Sequence, residues 1–131
     1  MQSLSVLLLL LIPLIVVIAQ QQERQIAQQL NQRYAQLVMA QDKKGLSALF
    51  HVDFKYHVGP NVFSRGKFLS HLWQLKRPIQ FTHNLSDAKF KSNGILEMRT
   101  YYKINAEYIS VNFMALKIGR DYKFIAGYQL A

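Results

Sequence analysis

Residues 25 to 58 read QIAQQLNQRYAQLVMAQDKKGLSALFHVDFKYHV, and within this stretch the apolar rhythm changes from a helical period to that of a strand. Ile26, Leu30, Tyr34, Leu37 and Val38 recur at three- and four-residue spacing, which places them on one face of a helix. Gln28, Gln29, Gln32, Arg33 and Gln36 cover the other face. Asp42, Lys43, Lys44 and Gly45 interrupt the pattern, and Leu46, Leu49 and Phe50 resume it for about two turns. From there Val52, Phe54, Tyr56 and Val58 alternate with Asp53, Lys55 and His57, as in a half-buried strand that Gly59-Pro60 ends.

Downstream, Ser64 stands where a helix N-cap would, ahead of Phe68, Leu69, Leu72 and Trp73, with Arg77-Pro78 as the stop. No later stretch keeps a helical period. Ile79, Phe81, His83 and Leu85 alternate with polar residues in a strand reaching about Phe90, and Ser92-Asn93-Gly94 is a hairpin turn. A long strand over Ile95–Ile104 puts Leu96, Met98, Thr100, Tyr102 and Ile104 on one side. Asn105-Ala106-Glu107 turns into a strand from Tyr108 to Ile118. Gly119-Arg120-Asp121 turns again, and Tyr122, Phe124, Ala126, Tyr128 and Leu130 mark one side of the last strand. Helices gathered early and strands gathered late give an α+β fold: a cone-shaped, curved antiparallel sheet packed on about three N-terminal helices.

The leading residues stand apart from this domain. An apolar run from Val6 to Ile18, interrupted by Pro13, is followed by Ala19-Gln20, with small residues at Val17 and Ala19. This predicts a secretory signal peptide over residues 1–19, cut near Ala19-Gln20, and a working domain over 20–131. The run is shorter than the ~20 residues a spanning helix needs, so contact with a membrane is expected only if the segment is left uncleaved. There is no cysteine, so the domain is held by burial alone. Asn84-Leu85-Ser86 is a glycosylation acceptor triplet at Asn84. The net charge of +9 lies wholly after the leader. Its cations are scattered, with only Lys43-Lys44 and Lys76-Arg77 adjacent, which suits solubility and argues against a specific nucleic-acid partner.

The order of elements, Arg33-Tyr34 in the long helix, Asp42 at the turn, Leu49-Phe50 before Asp53-Phe54, Gly59-Pro60, Ser64-Arg65-Gly66 before Phe68-Leu69, and the closing hairpin around Gly119 together resemble the nuclear transport factor 2-like superfamily. That superfamily includes ketosteroid isomerases, scytalone dehydratase and polyketide-cyclase-like proteins, and the chain looks most like its small secreted single-domain members. The resemblance implies a pocket inside the cone. In the isomerase branch a helix tyrosine and a protonated acid act as oxyanion donors beside an aspartate base. Laid on this chain, the tyrosine falls on Tyr34, the base position on Val58 with His57 one residue before, and the second acid near Asn112.

Two chemistries follow. Tyr34 and Asn112 could polarise a carbonyl while His57 or His83 moves a proton, as in an isomerase- or dehydratase-like enzyme. Alternatively Tyr34 is a core aromatic, Asn112 bonds to its surroundings and His57 faces solvent beside Lys55. Non-enzymatic binding of a small apolar ligand is the leading reading, with Tyr34, Trp73, Tyr108, Asn112 and Met114 as candidate ligand-binding residues. An extracellular module for anionic glycan or lipid is a further alternative. His51, His57, His71 and His83 show no metal-ligand spacing, and no metal or other cofactor is expected. If Asn112 faces the cavity, Tyr108, Ser110, Met114 and Leu116 face it too, and Ile109, Val111, Phe113 and Ala115 lie on the outer face. Relatives of this fold commonly pair through that outer face, which predicts a homodimer.

Overall fold

The computed structural model describes residues 2–74, 81–104 and 107–130. Its order is α1 (Gln2–Ala40), α2 (Lys43–Leu49), β1 (Phe50–Val58), β2 (Asn61–Ser64), α3 (Arg65–Trp73), β3 (Phe81–Phe90), β4 (Leu96–Ile104), β5 (Glu107–Ile118) and β6 (Asp121–Leu130). The strands form one open, curved sheet in the order β2-β1-β6-β5-β4-β3. Its pairs are antiparallel apart from β1 with β6, the chain's first and last strands, which lie side by side within the sheet and run parallel. The fold is therefore α+β with a mixed sheet, and β2 is a strand that the break at Gly59-Pro60 hid. Gly59 adopts a φ of 55°, which a residue with a side chain rarely takes, and lets Val58 pair directly with Asn61.

Local chemistry sets the helix starts. The Asp42 carboxylate accepts from Gly45 N at 2.9 Å and caps α2, and Ser64 Oγ accepts from Lys67 N to cap α3. One helix, α1, continues through Pro13 and through the Ala19–Gln20 junction. Its inner face, with Ala27, Leu30, Asn31, Tyr34 and Val38, lies on the sheet, where Asn31 Nδ2 donates to the His83 carbonyl at 2.8 Å and fixes the helix against β3. The core is an aromatic cluster: Tyr34, Phe50, Phe54, Phe113 and Phe124 are all fully buried, and the ring of Tyr34 meets Phe50, Phe113 and Phe124 edge-on at 5.8 Å.

Three expectations about strand faces are corrected. In β1, Val52 is 67 % exposed and Phe50 is buried, because the register shifts between Phe50 and Lys55 and breaks the simple alternation. In β6, the shift opposite Met114 and Ala115 puts Phe124 inside but Ala126, Tyr128 and Leu130 on the other side, with Gly127 buried between them. The third correction matters most. Val111, Phe113 and Ala115 are the buried residues of β5, so Tyr108, Ser110, Asn112, Met114 and Leu116 face outward. Placing Asn112 by analogy misjudged the strand's register by one residue, and one residue exchanges the two faces of a strand.

By contrast, β4 alternates as its sequence predicts, with Leu96, Met98, Thr100 and Tyr102 buried. The turns at Ser92-Asn93-Gly94 and Gly119-Arg120 are present, with Gly94 and Gly119 at positive φ. The stop at Arg77-Pro78, the strand start at Ile79 and the turn residues Asn105 and Ala106 lie outside the described residues.

Candidate functional site

Between α3 and the strands that cross its face is a cavity of about 340 Å³, lined by Tyr56, Val58, Phe63, Phe68, His71, Leu72, Tyr102, Ile109 and Gln129. Each wall follows from a strand face or helix stripe. Tyr56 and Val58 are inward residues of β1, Tyr102 of β4, Ile109 of β5 and Gln129 of β6, while Phe68 and Leu72 are the buried stripe of α3 at four-residue spacing. Phe63 comes from β2, whose ring meets that of His71 edge-on at 6.1 Å.

The polar groups converge on one side. Tyr56 Oη donates to Gln129 Oε1 at 3.0 Å, and the hydroxyls of Tyr56 and Tyr102 are hydrogen-bonded to one another. Burial, followed by the neighbouring phenol of Tyr102, pushes the Tyr56 phenol far above its ordinary range. Tyr102 is also raised by burial, tempered by its hydrogen bond with Tyr56. Deeper in the cone, Tyr34 is completely enclosed, and burial with the nearby Tyr102 phenol raises it as well. All three therefore remain protonated at physiological pH, as hydrogen-bonding hydroxyls.

His83 completes this interior group. Its ring lies 4.8 Å from that of Tyr34 and 5.8 Å from that of Tyr102. Burial lowers its pKa to about 3, so the imidazole is neutral. The interior therefore offers neutral donors and acceptors in an aromatic setting, which can orient a carbonyl or hydroxyl but holds no charge of its own.

The sequence candidates divide between the two sides of the sheet. Tyr34 lies inside, and Val58, at the position the isomerase comparison gives to the base, lines the cavity. His57 points outward and stacks on Tyr128, with ring centroids 4.5 Å apart and planes 8° from parallel. Asn112 pairs with Tyr128 across β5 and β6, on that same outer face, as do Tyr108 and Met114. Trp73 is half-buried at the end of α3 under the Lys43 ammonium, 5.6 Å from the ring centre, and does not line the cavity. Asn84 is exposed on β3.

Tyr56, Tyr102 and Gln129 went unnoticed as site residues. The first two carried a usable signal, since both sit at inward positions of alternating strands. Gln129 carried none, because the register shift in β6 inverts its apparent face.

Among the described residues no cluster of three potential ligand side chains could hold a metal ion, and no helix is long and apolar enough to cross a membrane.

Several solved structures share the architecture. An NTF-2 like protein of unknown function from Silicibacter pomeroyi DSS-3 aligns with a TM-score of 0.70 at 10 % identity, over 84 % of this chain and 96 % of that one. An NTF2-like protein from Cytophaga hutchinsonii gives 0.66 at 14 % identity, covering 83 % and 98 %. A protein with a cystatin-like fold from Caulobacter vibrioides gives 0.60 at 13 % identity, covering 82 % and 88 %. At such identities the likeness concerns the fold alone. No curated protein matches. The family profile described as NTF2-like domain, however, matches residues 24–131, from the second half of α1 through β6. The chain belongs to the NTF2-like family.

Proposed function

We propose that the protein binds a small, largely apolar ligand at the mouth of its cone. The cavity beside α3 carries this reading: its size suits a compact organic molecule, and its walls are mostly aliphatic and aromatic. Its few polar groups lie together, so a single carbonyl or hydroxyl on the ligand could be oriented by Tyr102 and Gln129. The described lining contains no carboxylate, which favours binding over proton abstraction. A test is titration with the neutral fluorophore N-phenyl-1-naphthylamine. Saturable binding that Ile109→Trp removes and Tyr108→Ala leaves intact supports the reading, whereas binding indifferent to Ile109→Trp overturns it.

One observation favours the isomerase- or dehydratase-like alternative, namely the contact of Tyr34 with His83. His83 would have to act as the base in place of the outward-facing His57, and a pKa near 3 makes it a weak one. Ketone-dependent deuterium exchange that vanishes in His83→Phe would identify such an enzyme.

The export reading is supported by the surface of α1. Leu9, Leu11, Ile12, Leu14, Ile15, Val16, Val17 and Ile18 are all exposed, an apolar rod that a mature soluble domain would not retain. Amino-terminal sequencing of exported protein should begin at Gln20, and retention of Met1 on the exported chain would count against cleavage.

Pairing of two copies is supported by the outer sheet face, with its residues reassigned. Met114, Leu116 and Ala126 are half-buried there beside the more exposed Tyr128 and Leu130. Asn112 Oδ1 is enclosed with no hydrogen-bond partner among the described residues, and a second copy could supply a donor.

A further inference from the structure

A second cavity, of about 390 Å³, opens at the other end of the sheet, between α1 and the β5–β6 turn. Ile109 and Lys117, one at each cavity, are eight residues apart on β5, or about 26 Å at the rise of a strand. The two cavities are therefore separate, and their linings differ in kind. Arg33 from α1, Lys117 from β5 and Arg120 from the turn surround this one, opposed by the single carboxylate of Asp121. Ile26, Leu30 and Leu49 form its apolar floor. A smaller adjoining cavity of about 150 Å³ shares Arg33, Leu49 and Asp121, so the cleft continues past Arg33 towards α2.

Among the described residues the charges in this cleft are not paired with one another. The ion pairs between side chains of the described residues lie elsewhere, at His51–Asp53 and Lys91–Glu97. Three cations against one carboxylate leave an excess of two positive charges around a space large enough for a ligand, with two guanidinium groups whose fork geometry suits phosphate oxygens. A phosphate monoester carries about −1.5 to −2 near neutral pH, which matches that excess. The apolar floor then asks for a hydrocarbon or aromatic part on the same molecule.

We propose that this cleft binds a phosphate monoester carried on an apolar body, with Arg33, Lys117 and Arg120 holding the phosphate and Ile26, Leu30 and Leu49 receiving the rest. The ester could be a soluble metabolite or the headgroup of a lipid such as phosphatidic acid, and the two present the same chemistry to the cleft. The site is independent of the cone-mouth cavity and stands whether or not that cavity is occupied.

Calorimetry of the full chain with phenyl phosphate tests it, with inorganic phosphate and benzyl alcohol as partial ligands. Phenyl phosphate should bind on the order of tenfold more tightly than inorganic phosphate, because only it uses the floor, and benzyl alcohol should bind more weakly than either. Arg33→Gln and Arg120→Gln should each weaken phenyl phosphate about tenfold, while Lys55→Gln, on β1, leaves it unchanged. A Leu30→Ser variant should reduce phenyl phosphate binding and spare inorganic phosphate. Vesicles containing phosphatidic acid that bind through Arg33 would place the phosphate on a lipid, and binding of phenyl phosphate without vesicle binding would place it on a soluble ester. Equal affinity for phenyl phosphate and inorganic phosphate, or equal weakening by Lys55→Gln and Arg33→Gln, would show diffuse attraction to a basic protein and overturn the proposal.

Discussion

The imidazole of His83 meets the ring of Tyr34 edge-on, 4.8 Å between centroids, inside the aromatic core. This contact joins the first helix to the edge strand β3, and the hydrogen bond from Asn31 to the His83 carbonyl, one helical turn earlier, holds it in place. It also buries a titratable group among the uncharged rings of Tyr34, Tyr102 and Phe113.

Acid should therefore destabilise the fold through His83. An unfolded histidine titrates near its ordinary value of 6.5 and this one near 3, so between those values the unfolded chain binds a proton that the folded chain refuses. Stability is complete above about pH 6.5 and falls as the pH drops through this window. The loss is on the order of 5 kcal/mol when complete. Urea titrations from pH 7 to pH 4 should show a shallower loss for His83→Phe than for the parent chain. Equal slopes would mean that His83 does not set the acid response.

The phenol of Tyr34 and its ring contribute differently. Tyr34→Phe keeps the edge-on contacts with Phe50, Phe113 and Phe124 and should cost about 1 kcal/mol, the net worth of one hydroxyl. Tyr34→Ala leaves a cavity in the core and should cost about 3–5 kcal/mol. Chemical denaturation of the two variants checks the ratio, and similar losses would show that the hydroxyl, not the packing, dominates.

Gly127 is required by a close approach in the core. A Cβ there would lie 2.9 Å from Tyr56 Cδ2 and 3.1 Å from Phe113 Cε1, and both belong to packed rings. Gly127→Ala should cost about 1–3 kcal/mol through overpacking, and by displacing Tyr56 it should also weaken occupation of the neighbouring cavity. Unchanged denaturation midpoints would show that the rings move aside freely.

A charge on the outer sheet face should separate paired copies. If copies pair through this face, Met114→Lys, directly across from Ala126, is expected to leave the fold intact and yield monomer at micromolar concentration, where the parent chain is expected to sediment as a dimer. A monomeric parent at that concentration contradicts pairing.

Much of the architecture could be read from spacing, because helix and strand periods are local properties. The stretch from Gln25 to Val58 announced a helix, a charged turn, a second short helix and a strand, and Ser64, read as an N-cap, does cap α3, while the capping of α2 by Asp42 came only with the structure. The face of a strand is less local. In β4 the alternation is unbroken, and Met98, Thr100 and Tyr102 lie where it puts them. In β1 and β6 the register shifts depend on the pairing of strands far apart in sequence, and Val52 and Tyr128 were misplaced accordingly.

The site was harder to read for the same reason. Tyr34 was found because a helix stripe fixes its direction. Asn112, Tyr108 and Met114 were assigned inward from a distant analogy, although Val111, Phe113 and Ala115, with the large ring of Phe113 among them, had the stronger physical claim to the interior. The parallel contact of β1 with β6, which brings Tyr56 beside Gln129, leaves no mark in either segment alone.

If the cone mouth is a ligand site, amide chemical-shift mapping of the full chain during titration with neutral 2-naphthol will locate it. Saturable shifts centred on Val58, Phe63, Leu72, Ile109 and Gln129, with Arg120 to Lys123 unmoved, are the predicted result. Shifts confined to the outer face at Met114 and Leu130, or none at the solubility limit of the probe, would contradict it.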